Sequence, residues 1–238
     1  MSDPRPTAVL VHGANADSAS WNGAITRLTD AGYPVIAQAN PMRTLKTDAD
    51  YLAATVNNVK GPVLLVGHSY GGMVISQAAP QASNVRGLVF VAGLAPEAGE
   101  SAVDLVGKFP GSTLGETLVP FPLGDGVVDI YLDQAKYHQQ FVGDAPDDVA
   151  LLMAVTQRPA TEGSLNEPAA GPQGWKDLPS WFVFGDQDKN IPVAVHRFLA
   201  ERSGARRSTE VAGAPHALGV THPDVVTDVI LEALAAIS

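Results

Sequence analysis

The chain has 238 residues, 45% of them hydrophobic and 17% charged, which is enough apolar surface for one globular domain and excludes intrinsic disorder. A formal net charge of −10 disfavours nucleic acid as a partner. The absence of cysteine excludes disulfides, thiolate metal sites and a cysteine nucleophile. The N-terminal residues show no apolar signal segment and no apolar run is long enough to span a bilayer, so a soluble, cytoplasmic protein with no membrane partner is expected.

Taken in order, Thr7–His12 reads as a buried strand. Residues 18–31 read as a helix with Trp21, Ile25 and Leu28 on one face, Tyr33–Ala37 as a second strand, and Thr47–Val59 as a helix capped by Thr47 or Asp48. Pro62–Val66 is a third strand, Met73–Ala79 begins a helix, and Val85–Ala92 is a fourth strand. The rhythm returns with strand Ser180–Phe184, helix Val193–Arg202, strand Ser208–Val211 and closing helix Pro223–Ile237. Strands so continuously apolar are buried on both faces. With helices between them they predict an α/β fold, a mostly parallel central sheet flanked by helices.

Between residues 95 and 178 the alternation breaks. The stretch is rich in proline and glycine and predicts a hairpin around Gly124-Asp125-Gly126, then helices near Gln134–Phe141 and Pro146–Gln157. It reads as a small lid insertion within a single domain spanning 1–238, lying over the carboxyl ends of the strands where open α/β sheets bind ligands.

The chemistry is concentrated at Gly67-His68-Ser69-Tyr70-Gly71. This G-x-S-x-G run lies between a strand and a helix, the setting of a nucleophile elbow. A serine hydroxyl needs a histidine to take its proton and a carboxylate to orient that histidine; in chain order these follow the serine. The run after Phe184 offers Asp186 and Asp188. The small-residue loop Gly213-Ala214-Pro215-His216-Ala217 offers His216. His222 more naturally opens the last helix ahead of Pro223, while His138 and His196 fall in predicted helices as packed or partly exposed side chains. His68 is expected to point away from the elbow in a structural role. Two backbone N–H groups would form an oxyanion hole, one from Tyr70 after the nucleophile and one from Ala14 in the loop after the first strand. Trp21, Phe121, Tyr131, Tyr137, Leu152 and Met153 are the candidates for substrate contact.

The His12-Gly13 loop followed by Trp21, the Gly67–Gly72 elbow, the G-x-x-D-x-x-x-P stretch from Gly185 to Pro192 and the late His216 resemble the α/β-hydrolase fold superfamily over essentially the whole chain. The resemblance implies a core of about six strands and favours Asp188, three residues after Gly185, as the carboxylate. It is nearest to a branch of small bacterial esterases, plant methylesterases and hydroxynitrile lyases. Lyases of that branch carry Thr after the loop histidine and Lys after the catalytic histidine. Here those positions are Gly13 and Ala217, which favours ester hydrolysis. Ser69 argues against the epoxide hydrolases and dehalogenases of the fold, which use Asp. The expectation is therefore a carboxylesterase-like serine hydrolase acting through Ser69, Asp188 and His216 on a small-molecule ester, with no metal or cofactor. C–C cleavage, lactone opening or cofactor-free oxygen chemistry on the same triad remain alternatives, as does a non-catalytic small-molecule binding protein.

Overall fold

The computed structural model describes residues 4–238. Its centre is a six-stranded sheet in which every pairing is parallel. The strands are β1 (Thr7–Val11), β2 (Val35–Gln38), β3 (Val63–His68) and β4 (Val85–Val91), then β8 (Ser180–Gly185) and β9 (Arg207–Val211), in the order β2-β1-β3-β4-β8-β9. β1, β3 and β8 are buried along their whole length, as strands covered on both faces must be. Phe90 of β4 and Phe182 of β8 stack with ring centroids 4.6 Å apart at 20°, and burying each such ring contributes about 2–3 kcal/mol.

The chain steps from β1 to β2 in one direction and then returns past β1 to β3. Right-handed crossovers therefore put α1 (Asn22–Asp30) on one face of the sheet and α2 (Leu45–Asn57) on the other. α1 packs with α10 (Pro223–Ala236), and α2 packs with α3 (Tyr70–Ala78). The reversal leaves a crevice at the carboxyl ends of β1 and β3, the switch point at which open α/β sheets take ligands.

Several boundaries differ from the sequence expectation for local reasons. Residues Ser18–Trp21 form a 3-10 turn capped by Asp17 before α1 begins. α2 starts earlier than expected because Thr44 is its cap, its side chain accepting from Thr47 N–H. Between β4 and β8 lie α4 (Ala102–Val106) and an antiparallel hairpin, β5 (Leu118–Gly124) and β6 (Val127–Leu132). α5 (Gln134–Phe141), α6 (Asp147–Thr156), a two-residue strand β7 (Ala160–Thr161) and α7 (Glu162–Asn166) follow. The last helices outside this stretch are α8 (Val193–Arg202) and a short α9 (Leu218–Thr221). A second, smaller apolar cluster joins Leu132, Tyr137, Phe141 and Ala154 to Ala16 and Ala217. The loops after β1 and after β9 are thereby packed against the hairpin and α5. Among the described residues no helix is long and apolar enough to cross a membrane.

Candidate active site

Ser69 occupies the single residue between β3 and α3, with φ 54° and ψ −123°. A non-glycine residue held there costs on the order of 1–3 kcal/mol, so the surroundings must enforce it. They do so with backbone bonds: Ser69 N–H donates to Val91 O at 3.3 Å, and Ser69 O accepts from Gly72 N at 2.9 Å and Leu94 N at 3.1 Å. The turn closes so tightly that a Cβ on Gly67 would lie 2.6 Å from Gly71 O. Ser69 is also the N-cap of α3, where the helix dipole favours developing negative charge.

Asp188 lies in the loop after β8 and is fully buried. Oδ1 accepts the N–H groups of Asn190 and Ile191, both at 2.8 Å, while Oδ2 accepts from His216 Nδ1 at 2.7 Å and His196 Nε2 at 3.0 Å. Burial alone would raise this carboxyl. The adjoining His216 and the hydrogen bonds from His196 and His216 outweigh it and hold Asp188 below the usual carboxylate range. An ionised carboxylate can only accept, so the protons of these rings sit on His216 Nδ1 and His196 Nε2. Neutral His216 then carries its lone pair on Nε2, which is buried and has no partner among the described residues.

The other candidates are otherwise engaged. Asp186 Oδ1 accepts Gly213 N–H at 2.7 Å and so braces the turn before His216. His222 pairs with Asp144 at the surface at 2.7 Å, and His138 Nε2 donates to Ala145 O. His68 is buried against His216, its ring centroid 4.8 Å away, with Nε2 donating to His216 O at 3.1 Å. Burial, reinforced by His216, pushes His68 down to about 3. The sequence places His196 in a helix as a packed or partly exposed side chain, with no role at the site. It is fully packed, and it also bonds the same carboxylate oxygen as His216. Its sequence signal is faint: a histidine eight residues after Asp188, in the first turns of the helix that Pro192 opens.

Ala14, Ser69 and Tyr70 line one cavity of about 280 Å³. Tyr70 is the first residue of α3, so its N–H has no intrahelical acceptor. The loop carrying Ala14 presses on the elbow: a Cβ on Gly13 would meet Ser69 Cβ at 2.6 Å and His68 O at 2.7 Å. The remaining wall is aliphatic, with Leu94, Val103, Val106, Leu114, Leu165 and Ile191. No charged side chain lines it among the described residues. Its polar side chains turn inward to the protein, as with Asn15 Nδ2, which donates to Ile130 O and Gln157 Oε1.

None of the six side chains expected at the substrate lines this cavity. Trp21 is buried behind the elbow, edge-on to His68 at 6.4 Å. Tyr137 is buried and donates to Asn15 O at 2.6 Å. With Leu152 and Met153 it borders a separate cleft of about 290 Å³ beside Asp17 and Asn22. α6 packs inward through Ala150 and Ala154, four residues apart, which turns Leu152 outward to 63% exposure. Phe121 and Tyr131 pair with each other at 4.9 Å on the outer hairpin, where Pro120 and Pro122 suit β5 to an edge.

The comparisons with known proteins agree with this architecture. A family model described as the alpha/beta hydrolase family matches residues 8–229. The chain is 25% identical over 247 residues to a probable hydrolase of a Phoma species, covering 96% of this chain and 98% of the relative. It is 25% identical over 248 residues to Methylesterase 9 of Arabidopsis thaliana, covering 94% and 96%. The crystal structure of polyneuridine aldehyde esterase superposes with a TM-score of 0.80 at 18% identity, covering 97% of this chain and 99% of that one. The chain belongs to the alpha/beta hydrolase family, as an esterase-like member.

Proposed function

We propose that the protein is a serine hydrolase that cleaves a carboxylic ester through an acyl-enzyme on Ser69. The observation that carries this reading is the state of His216. Nδ1 is committed to Asp188 at 2.7 Å, and Nε2 is buried with no hydrogen-bond partner among the described residues. That is the tautomer a general base requires.

Ser69 Oγ attacks the ester carbonyl as His216 Nε2 takes its proton. Asp188 stays ionised, orients the ring and stabilises the imidazolium. The carbonyl oxygen gathers negative charge and is met by the N–H groups of Ala14 and Tyr70; each such donor contributes about 10²–10³ in rate. His216 then protonates the leaving alcohol. Water, deprotonated by the same nitrogen, releases the acid. No step calls on a metal or cofactor. Residues 95–178 act as a cap insertion that supplies Val103, Val106, Leu114 and Leu165 to the chamber. An uncharged, aliphatic chamber of about 280 Å³ suits a small neutral ester and gives no cation to hold a carboxylate-bearing one. The names of the methylesterase and aldehyde esterase relatives point to the same ester chemistry.

The test is hydrolysis of p-nitrophenyl acetate and labelling by a fluorophosphonate probe, with the Ser69→Ala variant as control. Turnover and labelling by the unsubstituted protein, both lost in the variant, are expected. Full activity in Ser69→Ala, or no labelling of Ser69 in the unsubstituted protein, would refute the assignment.

A further inference from the structure

Asp188 Oδ2 receives two imidazole donors, and the mechanism above uses only one of them. The second, His196, is fully buried at the fourth position of α8 and stacks on Phe184 with ring centroids 5.0 Å apart at 17°. Its Nδ1 has no hydrogen-bond partner among the described residues, so the ring's one useful polar contact is the 3.0 Å bond to Oδ2. A histidine serving only to fill space would be replaced at less cost by an apolar ring, since a buried orphan nitrogen is unfavourable.

We propose that His196 is a positioning residue for the hydrolysis assigned above, one that sets how strongly Asp188 holds His216. The inference rests on that assignment. Two N–H donors converging on one carboxylate oxygen share its negative charge, so each weakens the other's bond. His196 therefore moderates the Asp188–His216 interaction and limits how far the His216 imidazolium is stabilised. It also fixes the rotation of the carboxylate, whose other oxygen is held by the N–H groups of Asn190 and Ile191. The other titratable groups facing the cluster are His68 at the end of β3 and, beyond it, His12 at the end of β1. Burial drives both toward the neutral form, so the charge that changes during catalysis stays within the Asp188–His216 pair.

The experiment compares His196→Gln, His196→Asn and His196→Leu by the pH dependence of kcat/KM on p-nitrophenyl acetate. The downfield proton resonance of His216 Nδ1–H is followed in parallel. Glutamine places its amide nitrogen where Nε2 lies and keeps the donor. Asparagine reaches only the Nδ1 position, and leucine has no donor. In the Asn and Leu variants the acid limb should move up by about half a pH unit. The resonance should shift further downfield, with KM within about twofold. The Gln variant should return the limb and the resonance to those of the unsubstituted protein. An acid limb and a resonance that stay put in all three variants, with only thermal stability altered, would overturn the proposal. The Asn and Gln pair keeps the comparison interpretable if the Leu variant does not fold. The resonance needs no turnover, so a failure of the Ser69 assignment is seen separately, as loss of labelling by the fluorophosphonate probe.

Discussion

His68 couples the stability of this fold to pH in a way that can be measured. Its ring is enclosed by Trp21, Phe141 and His216, and burial takes it from 6.5 down to about 3. Because the folded-state value is the lower one, the unfolded chain binds the proton first as the pH falls. Stability is complete above about pH 6.5 and declines progressively toward pH 3. Between pH 7.5 and pH 5 the loss amounts to about 2 kcal/mol, which is a shift of roughly 0.7–1 M in a urea midpoint for a domain of this size. His68→Gln retains an N–H donor for His216 O but cannot titrate. Urea unfolding at the two pH values, for both proteins, isolates the effect of His68 and its neighbours: titratable groups remote from it contribute alike to each and cancel. The unsubstituted protein should lose about 2 kcal/mol more than the variant on acidification. Equal losses in the two proteins would show that His68 is not held neutral by its surroundings, and the account of its burial would be wrong.

Two further outcomes follow from the same geometry. Ser69→Gly releases a φ of 54° that serine tolerates poorly, so the variant should be more stable by about 1 kcal/mol in urea once the added chain entropy is deducted, and inactive; a less stable variant would contradict the strain. Gln157 is buried and saturated, accepting from Asn15 Nδ2 and Leu132 N and donating to Leu132 O and Ala154 O. Gln157→Leu strands those groups and should lower the unfolding free energy by about 2–4 kcal/mol in chemical denaturation, with a change under 1 kcal/mol counting against the network.

What could be read from the sequence was whatever depends on neighbours along the chain. The elbow is a strand, one strained residue and a helix, all covalently local, and it stands at Ser69 as the pattern implies. The parallel sheet was legible because β1, β3 and β8 are apolar without alternation. The chamber wall was not legible. α6 reads Asp-Asp-Val-Ala-Leu-Leu-Met-Ala-Val-Thr, apolar nearly all round, so its large side chains gave no clue that the alanines face inward. Val103, Val106 and Leu165 belong to the helices α4 and α7, five residues each and too short to show a period. His196 escaped for a different reason. Its meaning depends on the loop from Asp188 to Pro192 folding back beneath α8, a tertiary fact that a spacing of eight residues does not encode.

Asn15 joins the loop after β1 to the stretch between β4 and β8. Its backbone takes a left-handed φ of 57°, which asparagine accepts more readily than most residues. Four bonds hold it there: Asn15 N–H donates to Arg158 O at 2.8 Å, Asn15 O accepts from Tyr137 Oη at 2.6 Å, and Nδ2 donates to Ile130 O and Gln157 Oε1. One partner, Ile130, lies in β6 and the other three between β6 and β7, all more than a hundred residues along the chain. The loop that carries Ala14 is therefore tied to the same stretch, between β4 and β8, that supplies Val103, Val106, Leu114 and Leu165 to the chamber, although the residues that hold Asn15 do not themselves line it. On the mechanism proposed above, a loosening of this stretch would both change the shape of the chamber and misdirect the Ala14 N–H. On the same mechanism, a replacement that widens the chamber should cost kcat as well as alter KM only where it also breaks the bonds to Asn15.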